Sequence, residues 1–168
     1  MFYRFISENL TDYINEGEWR AGDTDFNYCN LSNADARDIF EEMVAEKGFF
    51  IFPSDLFVNV RARAAQDENL NETLEGVFRN IEGSAAGTPS ERDLKGLFAD
   101  LDVNSPRLGA TVAQRNQKLV KVLDAIGDLP LGSFGDNAID LFGDTYEYLM
   151  QMYASQAGKS GGCLLYTS

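Results

Sequence analysis

A chain of 168 residues with 44% hydrophobic content is the size of one domain with its own core. It holds no histidine, which removes imidazole general bases, Ser-His-Asp triads and histidine metal sites together. A net charge of −13 sets most of the surface against phosphate and disfavours free-standing DNA binding.

The first residues carry Arg4 and Glu8 in an amphipathic pattern, unlike a secretory signal. No apolar run approaches the length of a membrane span. The sequon-like triplets at Asn9, Asn30 and Asn71 therefore carry little meaning. Cys29 is the only cysteine before Cys163, so the expectation is a reduced thiol in a cytoplasmic protein.

In chain order, Phe2, Phe5, Ile6, Leu10, Tyr13 and Ile14 recur at helical spacing, with Gly17 as the stop. Residues 21–31 are polar and turn-rich and read as a loop. Asn33 is placed to cap a helix running to Lys47, with Ile39, Phe40, Met43 and Val44 inward and Gly48 just past its end. The run 49–52 ends at Pro53, which holds the residue before it out of the α region. It fits either one strand of a small sheet or a buried connector, and the lack of a clear partner strand favours the connector.

Ser54 is placed to cap the next helix, lined by Leu56, Phe57, Val60 and Ala64. Leu70, Leu74, Val77, Phe78 and Ile81 mark a further helix ending near Gly83, followed by a loop to Pro89. Ser90 with Asp93 has the spacing of a capping box for a short helix through Leu97 and Phe98. Residues 100–109 read as irregular. Residues 111–126 are strongly helical, with Val112, Leu119, Val122, Leu123 and Ile126 inward and Gly127 as the stop. A Gly- and Pro-bearing link, 129–136, leads to two closely spaced helices near 137–141 and 145–155. On the last of these, Tyr146, Tyr148, Leu149, Met152 and Tyr153 cover more circumference than one packing face requires. The whole reads as an all-α multi-helix bundle with short connecting loops.

Motifs that carry chemistry are few. Gly158-Lys159-Ser160 lacks the glycine that a phosphate-binding loop needs at 153, where Tyr153 stands, and it follows a helix rather than a strand. The calcium-loop pattern from Asp100 fails at Ser105 and Thr111, and the one from Asp23 fails at Tyr28 and Ala34. No metal ligand set and no catalytic group emerges. Arg107, Arg115, Lys118 and Lys121 form a loose basic stripe in an acidic chain. The stripe is either a solvated face or a contact to DNA phosphate or to an acidic partner surface.

Several blocks together resemble one family. Gly48-Phe49-Phe50-Ile51-Phe52-Pro53-Ser54 is similar to a Gly-Tyr-Phe-Ile-Tyr-Pro-Ser-like stretch of the helical N-terminal domain of type I restriction-modification methyltransferase M subunits. Residues 96–102, 107–112 and 140–162 resemble later blocks of the same domain in the same order, so the likeness spans 2–162.

In that family the Gly-Gly pair here at Gly161 and Gly162 leads into the S-adenosylmethionine-binding domain. The resemblance therefore implies a helical domain over 1–157 and a linker at 158–162. The cofactor motif is expected just after Gly162. The stretch 163–168 departs from the pattern and reads as a non-native tail.

The implied parent reaction is adenine-N6 methylation of DNA from S-adenosylmethionine in host DNA protection. The implied partners are a specificity subunit, a second M subunit and a restriction subunit, with DNA reached through the full complex and no membrane. The sequence contains neither the Asn-Pro-Pro-Tyr motif nor the Asp-Pro-Ala-Ala-Gly-Ser-Gly-like cofactor loop of the family. The chain alone is expected to bind no cofactor and to be inactive. Two alternatives stay open: a stand-alone helical interaction module, and an acidic DNA mimic suggested by the charge. Interleaving of acids and bases, as in residues 91–95, weakens the mimic.

Overall fold

The computed structural model describes residues 1–129. The chain divides after Gly132 into two units, and the first holds the whole core described below. Among the described residues there are six helices, four short 3-10 turns and no strand, an all-α arrangement as the periodicity predicts.

Helix α1 spans Phe2–Ala21 and buries Tyr3, Ile6, Leu10 and Ile14, one side of the helix at spacings of three and four. It does not stop at Gly17. That glycine faces open space, and its missing side chain costs a helix only about 1 kcal/mol. The stop is Gly22, at φ 111, where the amides of Gly22 and Asp23 fold back onto the carbonyls of Trp19 and Glu18. Trp19 Nε1 then donates to the Phe26 carbonyl at 2.9 Å and tacks the following loop onto the helix. That loop contains one 3-10 turn, Tyr28–Asn30.

Asn33 does not cap a helix to Lys47. A 3-10 turn, Asp35–Ile39, precedes the shorter α2, Phe40–Lys47, and Ser32 Oγ accepts the Asp35 amide instead. Gly48 does end α2, at φ 81. A side chain there would also strike the Ser90 hydroxyl.

Ser54 is likewise not a cap. It and Asn33 bind each other, Asn33 Nδ2 to Ser54 Oγ at 2.8 Å and the Ser54 amide to Asn33 Oδ1 at 3.0 Å. The first amide of α3, Phe57–Arg63, is taken by Ser7 Oγ of α1 at 2.8 Å, a cap supplied from fifty residues away.

Between α2 and α3 the run 49–52 is a connector whose first three residues are buried and whose last, Phe52, is half-buried. Phe49, Phe50 and Ile51 are almost fully enclosed, and Phe52 is extended at φ −64, ψ 151. Tyr28 fixes it: its hydroxyl donates to the Ile51 carbonyl at 2.8 Å, while its own amide donates to Asn15 Oδ1 at 2.7 Å. Burial holds the Tyr28 phenol protonated far above its usual range, which suits a permanent donor.

Helix α4, Leu70–Ser84, buries Leu70, Leu74, Val77 and Ile81, as its pattern predicts. Helix α5 is only Glu91–Leu94, and the expected Ser90–Asp93 capping box does not form, because Ser90 itself is helical at φ −80, ψ −9. Leu97 and Phe98 lie beyond α5. Phe98 stacks on Phe78 with centroids 4.4 Å apart, and Glu82 accepts the amides of Gly96 and Phe98.

Helix α6, Val112–Gly127, packs against α3 and α4 and opens with a capping box between Thr111 and Gln114. Its buried stripe is Asn116, Leu119 and Leu123. Val112 and Val122, expected inward, are 43% and 47% exposed, and Ile126 is half-buried. Val122 flanks the stripe, and Val112 lies in the first turn, outside the core. The helices expected near 137–141 and 145–155, and the linker at 158–162, lie outside the described residues.

Ser7→Ala strands a buried amide and lowers the unfolding free energy by about 1–3 kcal/mol, whereas Ser54→Ala lowers it by about 1 kcal/mol or less. Urea unfolding with matched slopes measures both, and equal losses would contradict the cap from α1. In thermal melts Gly17→Ala gains up to about 1 kcal/mol, while Gly22→Ala loses about 1 kcal/mol because a Cβ is strained at that φ.

Candidate functional site

The basic stripe is partly assembled by the fold and partly consumed by it. Arg107 lies in the irregular segment before α6, and Arg115, Lys118 and Lys121 lie on α6. Arg115 turns back toward that segment: Nη1 donates to the Gly109 carbonyl at 3.3 Å, and Nε is buried without a partner among the described residues. Lys118 Nζ donates to the Arg107 carbonyl at 3.4 Å. Arg107, Lys118 and Lys121 are exposed, whereas Arg115 is half-buried. Among the described residues none of the four forms an ion pair with a carboxylate. Three outward cations around one helix can receive an anionic surface. Arg115 first serves the local fold.

The two ends of α6 are fixed by other helices. Asn116 Oδ1 accepts the Asn71 amide in the first turn of α4 at 3.1 Å, and its Nδ2 donates to the Glu68 carbonyl at 2.7 Å. At the far end Arg4 donates to the carbonyls of Ile126 and Leu129 at 2.6 and 2.8 Å. Arg61 binds Asp124 at 3.1 Å and Asp128 at 2.6 Å. The basic stripe is thus carried on a helix with fixed position.

A second feature has no counterpart in the sequence motifs. A cleft of about 490 Å³ opens between the connector, the C-terminal turn of α4 and the 3-10 turn before α2. Phe40 stacks on Phe52 at 5.9 Å, Phe50 meets both rings edge-on, and the Arg37 guanidinium lies 5.5 Å from the Phe52 centroid. Arg79 stands on the rim with a side chain 76% exposed. The aromatic run 49–52 was the only available signal, and it predicts burial rather than a cleft.

Cys29 is half-buried, and burial pushes its thiol up while a hydrogen bond with Thr11 opposes this. Among the described residues no three His, Cys, Asp or Glu side chains gather as a metal site. No described helix is long and apolar enough to cross a membrane.

Residues 1–126 match the family model described as the HsdM N-terminal domain, and residues 137–167 match that of the N-6 DNA Methylase. The chain is 44% identical over 169 aligned positions to the type I restriction enzyme MpnII methylase subunit of Mycoplasma pneumoniae, covering 96% of this chain and 31% of that protein. Its fold is similar to the crystal structure of the type I restriction-modification system methyltransferase subunit from Streptococcus thermophilus. The TM-score is 0.63 at 25% identity, over 91% of this chain and 32% of that one. Fold and matches define the class: a helical domain of a type I restriction-modification methyltransferase subunit. The chain belongs to the HsdM N-terminal domain family and contains that subunit's N-terminal domain. It spans about a third of the length of the relatives it matches.

The roles of the four cations separate by stability. Arg115→Ala should lower the unfolding free energy by about 1 kcal/mol through the lost Gly109 bond, while Lys118→Ala stays within about 0.5 kcal/mol. Chemical denaturation of both variants checks this, and a neutral Arg115→Ala would leave all four cations equally free.

Proposed function

We propose that this domain is the structural and subunit-contacting part of an enzyme that methylates adenine N6 in DNA using S-adenosylmethionine, in host DNA protection. The observation that carries the reading is the order of the two family matches, the helical domain at 1–126 followed by the N-6 DNA Methylase at 137–167. We keep as proposed bounds a helical domain to 157, a linker at 158–162 and a non-native tail at 163–168, although the second match begins at 137 and runs to 167. In this reading the cofactor and the flipped base are handled by the methyltransferase domain. The partners are a specificity subunit, a second methyltransferase subunit and a restriction subunit, in the cytoplasm.

Within that assembly Arg107, Lys118 and Lys121 offer cations to DNA phosphate or to an acidic partner surface, with Arg115 behind them. The match at 137–167 weighs against a stand-alone module. The mimic reading is disfavoured because carboxylates on α1 and α4 pair with arginines one turn away, as in Arg4–Glu8, Glu16–Arg20 and Glu75–Arg79.

The test uses labelled S-adenosylmethionine and unmethylated DNA. The 168-residue chain should incorporate no more label than a no-protein control and give no discrete mobility-shift complex at physiological salt. The full-length subunit with its specificity subunit should produce N6-methyladenine. Incorporation by the chain alone would overturn its assignment as a non-catalytic part, and methylated cytosine from the full complex would overturn the adenine assignment.

A further inference from the structure

From Val103 to Leu123 the chain carries Arg107, Arg115, Lys118 and Lys121 and no Asp or Glu. The whole chain holds 27 acidic residues among 168, so this stretch is a local inversion of its charge. Helix α6 turns part of it outward. The buried stripe of α6 is Asn116, Leu119 and Leu123. Lys118, Val122 and Leu129, spaced by four and seven residues, run along one flank of that stripe, with Ala125 beside them and Lys121 on the outer edge. Asp124 and Asp128, both held by Arg61, lie round the other flank. Val122 is 47% exposed and Leu129 39%, and Lys118, Lys121 and Ala125 are exposed as well. Lys118 Nζ reaches the Arg107 carbonyl at 3.4 Å, so Arg107 continues the line past Lys118. This flank is cationic toward the start of α6 and apolar toward its end.

We infer that it docks an acidic amphipathic helix of another subunit of the enzyme, packed antiparallel along α6. Apolar residues of the partner helix cover Val122, Ala125 and Leu129, and the small Ala125 side chain permits close approach of the two axes. Carboxylates in its C-terminal half meet Arg107, Lys118 and Lys121. Among the described residues none of these three cations forms an ion pair with a carboxylate. Antiparallel packing also lays the negative end of the partner's dipole beside the positive start of α6. Arg115, turned back onto the Gly109 carbonyl, takes no part.

A nucleic acid fits less well. Phosphate contacts would use the cations and leave Val122 and Leu129 in water, whereas an amphipathic helix covers both kinds of group. The inference rests on the subunit-contacting reading proposed above and names the chemistry of one partner surface.

The experiment photo-crosslinks the full-length subunit, assembled with its specificity and restriction subunits and target DNA. The probe p-benzoylphenylalanine replaces Val122 in one preparation and Gln117, exposed on the other flank, in a second. The expected product joins the probe at Val122 to an acidic segment of another subunit with helical apolar spacing, and the probe at Gln117 to none. Lys118→Glu together with Lys121→Glu should weaken assembly at least about tenfold, with the thermal midpoint of the 168-residue chain unchanged. Changing the crosslinked partner carboxylates to lysine should restore it. Unaltered subunits that do not assemble would overturn the subunit reading and this inference together. Assembly without a crosslink from Val122, a crosslink to DNA or to a basic segment, or undiminished assembly of the double variant would overturn this inference alone.

Discussion

A non-helical run buried inside a helical domain leaves backbone groups that no helix satisfies, and the arrangement around residues 49–52 is the answer to that constraint. Tyr28 serves the Ile51 carbonyl, Ser84 serves the Phe50 amide, and Thr88 Oγ1 serves the Gly48 carbonyl at 2.9 Å. These three donors and acceptors come from the loop after α1, the end of α4 and the loop after α4. Burying the phenylalanines therefore fixes three distant segments at once. Tyr3 adds a further tie, with its ring edge-on to Phe57 and Phe78 and its hydroxyl on the Asp55 carbonyl.

The same logic governs the helix ends. Ser7 caps α3, Asn116 serves the first turn of α4, and Arg4 closes the last turn of α6. Each cap satisfies an orphan backbone group and also docks one helix on another. A polar bond of this kind contributes only about 1 kcal/mol when made, but stranding its buried partner costs more. The caps therefore act chiefly against misdocked arrangements, in which several such groups would lie buried and empty. The acidic surface needs no such specificity. Its arginines sit one turn from carboxylates along α1 and α4, where each exposed pair is worth little and serves mainly to moderate the charge.

For a domain of the HsdM N-terminal family, helix placement matters because its outward groups depend on it. The cations on α6 sit on a helix fastened by Asn116 at one end and by Arg4 and Arg61 at the other. A surface held this way presents its charges at fixed spacing, which a loop of the same composition would not do.

The sequence by itself determined the helical class, the extents of α4 and α6, the connector at 49–52 and the Gly48 stop, because each rests on contacts three or four residues apart or on a single φ angle. It also carried the family, through blocks in a fixed order. It placed the basic stripe by spacing, but it could not show that Arg115 turns back onto Gly109. Nor could it show that Val122 and Val112 lie outside the core, since periodicity names a face without saying how far the neighbouring helices cover it. The caps were misassigned at Asn33, Ser54 and Ser90 because a local search favours the nearest polar residue. Tertiary structure chose Ser7 and left Asn33 and Ser54 to bind each other. It alone also made the cleft beside the connector, between the end of α4 and the turn before α2. A hydrogen-bond partner fifty residues away is fixed by packing, and no local pattern encodes it.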